Sequence, residues 1–293
     1  MRVSVIIPCF NEAKTIGHQL AALAHQRVDF DWEVIVVDNG STDGTVRQAE
    51  RFRDLLPQFR IIHATERRGA SHARNVGAEV ARGRWLAFCD ADDAVSGTWL
   101  QSVATDLETH PIVASRFDGR WLNPGRNGRP LGQRHDIERL WYPPFLKHAG
   151  GSGLCVLKRH HEAIGGFDER LRILEDADYC IRLQLEGLDI HFSRRAVLHV
   201  RYPSDRSGLF RQARLWARAN TALYRRYGLG GQAVAEAWRG YADGVWRAIR
   251  KLRKLRNPRV RSAVVWQVGW HLGLLEGALI HRVAPVPHHA THR

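Results

Sequence analysis

The stretch Trp85-Leu86-Ala87-Phe88-Cys89-Asp90-Ala91-Asp92-Asp93 is an apolar run of strand length that ends in three acids, the first two separated by one alanine. A buried parallel strand reads as such a run, and ligands of open α/β sheets bind beyond the carboxyl ends of these strands. Two aspartates one residue apart can both reach a hard divalent cation where the chain bends, and Mg²⁺ typically takes one or two carboxylates together with substrate phosphates. Asp90 and Asp92 are therefore candidates for a metal-diphosphate clamp, with a solvated turn as the other reading of an acidic strand end. A second acidic pair, Glu175-Asp176, opens a helical pattern through Asp178 and Leu183. Carboxylates at that place either complement the helix dipole or take a catalytic role.

The elements that must position these acids alternate. Val3 to Ile7 is a β-branched strand broken by Pro8-Cys9-Phe10-Asn11-Glu12, and a helical pattern follows through Ile16, Leu20 and Leu23. Glu33 to Val37 forms the next strand, ending at Asp38, and Asn39 to Thr45 supplies a turn and a helix cap. Phe59 to His63 is a third strand, followed by a helix opening at Gly69 that carries Arg74. Such alternation predicts an α/β fold, a parallel sheet with helices on both faces, in which Pro8 to Glu12, Asp38 and Asp90 to Asp92 share one edge. A helix near 97–108 and a strand near 112–116 come next. Residues 119–150 lose periodicity and read as a long functional loop. Gly153 to Leu157 is a further strand, and Ile190 to Val200 closes the body with His199 near its end.

At 293 residues the chain is one large α/β domain or one domain plus an extension. Its net charge of +14 is uneven: residues 1–203 carry 27 Lys/Arg against 26 Asp/Glu, residues 204–293 carry 17 against 4. The excess therefore belongs to a basic appendage facing an anionic partner, membrane or nucleic acid. Cys9, Cys89, Cys155 and Cys180 form no Cys-x-x-Cys pair, which argues against a metal knuckle and for reduced, buried thiols in the cytoplasm. The N-terminal apolar run is too short for a signal peptide and reads as the first strand.

In their order, Ser4-Val5-Ile6-Ile7-Pro8-Cys9-Phe10-Asn11-Glu12, Val37-Asp38-Asn39-Gly40-Ser41-Thr42-Asp43-Gly44-Thr45, Ala73-Arg74-Asn75-x-Gly77, Asp90-Ala91-Asp92-Asp93, Gly166-Phe167-Asp168-Glu169 and Glu175-Asp176-x-Asp178 resemble the successive signatures of family 2 glycosyltransferases of the GT-A fold, over roughly residues 1–203. The resemblance implies a GT-A catalytic domain over 1–203 and a basic helical extension over 204–293. It implies that Pro8, Phe10, Glu12 and Asp38 hold the nucleoside of a nucleotide-diphosphate sugar, and that Arg74 steadies the donor side. Asp90 and Asp92 would hold Mg²⁺ or Mn²⁺ on the diphosphate. Asp176, with Glu175 as its substitute, would be the general base of an inverting displacement onto a hydroxyl of a glycan or lipid-linked acceptor in envelope synthesis. His199 is either a further metal or phosphate contact or a satisfied histidine. Gln212-Ala213-Arg214-Leu215-Trp216 is similar to the Gln-x-x-Arg-Trp motif of processive synthases, but Leu215 stands where an arginine is needed. A nucleotidyltransferase is a rival reading, weakened because Pro8 to Glu12 contains no glycine. A nucleic-acid binder acting through the tail is another, yet no nucleic-acid module is recognisable and none is expected as partner.

The tail carries three helical segments. Leu209, Ala213, Trp216, Asn220, Leu223 and Tyr227 mark one stripe, and Trp238, Tyr241, Val245, Ile249 and Leu252 mark another beside Arg239, Arg247, Arg250, Lys251, Arg253 and Lys254. Val264 to Val283 has bilayer-spanning length, but Gln267, His271 and Glu276 make spanning costly, so an interfacial helix is expected. Gly269, Gly273 and Gly277 suit close helix contact, in lipid or in a soluble bundle. The tail either lies on the anionic inner face of the plasma membrane or packs on the catalytic body.

Overall fold

Continuous β-branched runs form the first two strands, β1 (Val3–Cys9) and β2 (Trp32–Asp38), buried along their whole length. The structure, a computed structural model, describes residues 1–123, 133–134, 138–139, 146–203, 205–228 and 234–285. Helices α1 (Ile16–Ala24), α2 (Thr45–Glu50) and α3 (Ala70–Val80) alternate with β3 (Arg60–His63) and β4 (Trp85–Phe88). Next come β5 (Ala94–Val95), α4 (Trp99–Asp106) and β6 (Ile112–Asp118), then the two-residue strands β7 (Gln133–Arg134), β8 (Glu138–Arg139) and β9 (Lys147–His148). The body ends with β10 (Leu154–Leu157), α5 (Lys158–Ala163), α6 (Glu175–Leu185) and β11 (Ile190–His199). Much of the loop expected over 119–150 lies outside the described residues.

The main sheet has the order β3-β2-β1-β4-β10-β6-β11-β5, with β7 paired to β6. Strands β1 to β4 are mutually parallel where they pair, and β6 runs parallel to β11. The expected α/β fold with a mostly parallel sheet is what forms. Three strands depart from the parallel pattern: β10 is antiparallel to both β4 and β6, β5 is antiparallel to β11, and β7 is antiparallel to β6. Apolar periodicity is blind to strand direction, so none of these reversals was legible in the sequence. The reversal of β10 has a local consequence. Leu154 pairs with Phe88, so the chain entering β10 arrives at the edge where β4 leaves for its acids.

Helix α3 lies close to the sheet because Gly77 has no side chain. A Cβ there would stand 2.5 Å from Ile6 Cγ2 and 2.9 Å from Val37 Cγ2. Behind the sheet edge, Phe167 stacks on Tyr179 at 4.1 Å and meets Phe88 edge-on at 5.1 Å, anchoring the segment that precedes α6.

The described residues make two compact units, one built mainly from Met1–Leu122 and Lys147–Arg201, the other from the helices after Tyr202. In the second unit, α7 (Arg206–Arg226), α8 (Val234–Leu252) and α9 (Pro258–His281) follow one another. Asp205 caps α7, its Oδ1 accepting from Gly208 N at 2.5 Å. The glycine stripe of α9 is spent on α7: a Cβ on Gly269 would stand 2.6 Å from Phe210 O, and those on Gly273 and Gly277 would overlap Arg214 O and Thr221 Oγ1. Ala213, Ala217, Trp270 and Leu274 fill the seam, and Glu276 accepts from Arg214 Nε at 2.9 Å. The glycine spacing serves the close helix contact expected of it, with α7 as the neighbour.

Candidate active site

Three loops at the carboxyl edge of the sheet are tied to one another by side-chain to backbone bonds. Asn11, in the left-handed region at φ 57°, receives Thr42 N at 2.8 Å on its Oδ1 and donates its own N to Ser41 Oγ at 3.0 Å. Glu12 N donates to Thr45 Oγ1 at 2.8 Å, and Ala13 N to Asp43 Oδ2 at 3.1 Å. Asp38, almost fully buried at the end of β2, accepts from Ser41 N at 3.1 Å and lies 3.4 Å from His63 Nδ1. Asn39 Oδ1 receives Gly69 N at 2.8 Å, and its amide donates to Arg67 O at 2.8 Å, which fixes the loop leading into α3. Phe10, 42% exposed, lies under the Arg68 guanidinium at 4.3 Å. A partly exposed aromatic ring one residue beyond the Cys9–Asp38 strand pair can stack on a planar heterocycle.

Arg74 is the hub. Its side chain is 4% exposed and donates from Nη2 to Asp90 Oδ1 at 2.8 Å and from Nη1 to Glu175 Oε1 at 2.9 Å. Burial opposes its charge, but the two carboxylates overcome that and hold the guanidinium still more firmly protonated than usual. Gly151 makes room for it, since a Cβ there would stand 2.9 Å from Nη2. Asn75, the next residue, accepts from Phe167 N at 2.8 Å and donates to Phe167 O at 2.9 Å and Glu169 Oε1 at 3.0 Å. One short motif thus holds α3 to the segment before α6.

Oxygens of Asp90, Asp92 and Asp93 lie within 4.8 Å of one another. Asp93 is committed to structure: Oδ2 accepts from Ser152 Oγ at 2.7 Å and Oδ1 from Arg201 N at 3.0 Å. Ser152 Oγ in turn accepts from Asp90 N at 2.9 Å, and Arg201 Nε donates to Asp92 O at 3.1 Å. Burial, then the charges of Asp90 and Glu12, push the Asp92 carboxyl up to about 7. A cluster of hard oxygen donors that burial and then mutual repulsion hold back from ionising fits a divalent cation, whose charge would offset both. Asp176 opens α6 and accepts from Gly151 N at 2.9 Å on Oδ2 and from Ala177 N at 2.8 Å on Oδ1. Burial first, and Glu175 second, push its carboxyl up to about 7, with Arg74 pulling the other way.

The profile of Glycosyl transferase family 2 matches residues 4–159. The chain belongs to that family. It is 42% identical over 195 residues to the glycosyltransferase AglE of Haloferax volcanii, an alignment covering 66% of this chain and 60% of that protein. It is 30% identical over 188 residues to the PGL/p-HBAD biosynthesis glycosyltransferase of Mycobacterium tuberculosis, covering 61% of this chain and 68% of the relative. The match thus spans about 60% of the archaeal relative's length. Among solved structures it is similar to S. aureus TarS, with a TM-score of 0.55 and 25% identity over 74% of this chain and 39% of that one. The mannosyltransferase PcManGT of Pyrobaculum calidifontis, in complex with GDP-Man and Mn²⁺, shares the fold at a TM-score of 0.58 and 20% identity, covering 95% of this chain and 75% of that one. Membership of this family favours the glycosyltransferase reading over the nucleotidyltransferase one.

Within this family fold, Arg74 directly joins Asp90 to Glu175, and Glu12 acts electrostatically on Asp92. His199 is not one of the three residues whose oxygens gather within 4.8 Å of one another; it lies at the end of β11, paired with Ala94 and Asp118 and edge-on to Trp121 at 5.1 Å. Its Nδ1 is buried with no hydrogen-bond partner among the described residues. The sequence reading did not single out Gly151, Ser152 or Arg201, and it quoted Asn39, Asn75 and Asp93 within motifs without giving them a role. A Gly-Gly-Ser-Gly run at 150–153 before a strand was the available signal, but it carries meaning only once β10 is known to start at the acidic edge.

Proposed function

We propose that the chain is a metal-dependent, inverting glycosyltransferase that moves a sugar from a nucleotide-diphosphate donor to a hydroxyl acceptor, with residues 1–203 as catalytic domain and 204–293 as a helical extension. Pro8, Phe10, Glu12 and Asp38 hold the nucleoside, Asp38 accepting from the base. Arg74 steadies the donor side. Asp90 and Asp92 hold Mg²⁺ or Mn²⁺, which when bound neutralises charge on the leaving diphosphate; His199 is a further candidate contact. Asp176 takes the proton of the acceptor hydroxyl while that oxygen bonds to the anomeric carbon. The bond from that carbon to the diphosphate oxygen breaks, the nucleoside diphosphate leaves with the electron pair, and the anomeric configuration inverts.

The observation that carries this reading is the Arg74 bridge, one buried cation paired with both Asp90 and Glu175, which supports a donor side and a base side working next to each other. A carboxyl raised to about 7 also suits a general base working near neutrality. The donor class is supported by neighbours of the same fold in complex with UDP-GlcNAc and GDP-Man. The acceptor is a glycan or lipid-linked compound of envelope synthesis; the relative named for PGL/p-HBAD biosynthesis supports a biosynthetic role, and the tail's basic charge supports a peripheral place on the inner face of the plasma membrane. The test is a panel of nucleotide sugars scored for thermal stabilisation with Mn²⁺ and with excess chelator, followed by NMR of the product's anomeric centre. Stabilisation by one donor only with metal, and an inverted product, are expected. A retained anomeric configuration, or full turnover in chelator, would overturn the mechanism.

A further inference from the structure

The second unit exposes large apolar side chains in two stripes. On α8, Trp238, Trp246, Ile249 and Leu252 are 47–56% exposed. On α9, Val268, Leu272 and Leu279 are 50%, 39% and 80% exposed. Helical spacing sets each group along one side of its helix. The remaining flanks are occupied. Helix α8 meets α9 where Tyr241 donates to His271 O at 3.5 Å and where a Cβ on Gly244 would run into the His271 ring. Helix α9 gives its glycine flank to α7. Residues 253–257 join α8 to α9 as a hairpin, so the two helices run antiparallel. At about 100° of turn per residue, each stripe lies roughly a quarter-turn from the shared seam, in rotational senses that bring both to the same side of the pair.

We propose that this α8–α9 face is the surface by which the protein lies on an anionic lipid bilayer, with neither helix crossing it. The proposal rests on the peripheral-membrane part of the function above and names the surface responsible. Exposed Arg239, Arg250, Arg253 and Lys254 border the α8 stripe, at the level headgroups would occupy if the apolar side chains dip into the acyl boundary. Charge decides the occupant. With 17 Lys/Arg against 4 Asp/Glu in residues 204–293, a second copy of the chain would set like charge against like, whereas anionic headgroups complement it. Although α9 is long and apolar enough to span, its contacts with α7 include the Arg214–Glu276 ion pair, which insertion would strip away.

The full chain is floated with vesicles of phosphatidylcholine alone and of equal parts phosphatidylcholine and phosphatidylglycerol. The wild type is expected to bind the anionic vesicles at least about tenfold better, less so in high salt, and to be released by alkaline carbonate. Ile249→Glu with Leu272→Glu, both at exposed positions, should reduce binding about tenfold while leaving the far-UV melting curve and donor-induced stabilisation unchanged. Leu55→Glu, also exposed but in the first unit, is the control and should behave as wild type. If the wild type does not float with anionic vesicles, the peripheral-membrane reading falls together with the proposal. If it floats and the double variant floats equally, only the choice of face is wrong. Resistance to carbonate would make α9 a spanning helix, and a dimer lost in the double variant would assign the face to a second copy.

Discussion

Replacing Asp176 by asparagine separates what the proposed base costs the fold from what it does for transfer. The wild-type carboxyl is pushed from its ordinary 3.8 up to about 7, chiefly by burial. Such a shift means that keeping it ionised above pH 7 costs the native state on the order of 4 kcal/mol. The folded protein keeps a proton between about pH 4 and pH 7 that the unfolded chain has already released. Stability from this group is therefore full below the unfolded value and is lost as pH rises through the folded one. Asparagine is neutral throughout, and it gives up one of the acceptors now serving Gly151 N and Ala177 N, about 1 kcal/mol. The variant should thus be more stable than wild type by about 3 kcal/mol near pH 8, and equal or about 1 kcal/mol worse near pH 4. Urea unfolding of both proteins at the two pH values measures this. Transfer at the higher pH should fall by about two to four orders of magnitude. A variant less stable than wild type at high pH would refute the burial argument, and near-normal transfer would move the base to Glu175.

Arg74→Lys keeps the charge but replaces a fork reaching two carboxylates with a point that serves one, so urea unfolding should show a loss of about 2–4 kcal/mol together with weakened donor affinity; a change under about 0.5 kcal/mol would contradict the hub role. Asp92→Ala should abolish metal-dependent stabilisation by the donor in a thermal melt while raising the stability of the unliganded protein, because a crowded carboxylate is removed. Gly151→Ala forces a methyl group against the Arg74 guanidinium and should cost about 1–3 kcal/mol with a larger fall in kcat than in donor affinity. The wild-type rate should rise with pH through about 7 as Asp176 loses its proton, a limb absent from Asp176→Asn.

Much of the site was legible because strand ends and acids coincide along the chain. Apolar runs closing at Cys9, Asp38 and Asp90 required only that the strands be parallel for those residues to share an edge, and β1, β2 and β4 are. The acidic start of α6 was legible for the same local reason, a break in periodicity followed by a helical repeat. What the chain alone did not disclose is whatever depends on direction or on contact across long separations. The reversal of β10 brings Gly151 and Ser152 to the acids, where Gly151 N reaches Asp176 and Ser152 couples Asp90 to Asp93. Arg201 reaches Asp92 and Asp93 across more than a hundred residues because β11 ends at the same edge. In the tail, the glycine repeat announced close helix contact, but only packing decided that α7 is the partner, because spacing encodes how near a neighbour can come and not which neighbour it is.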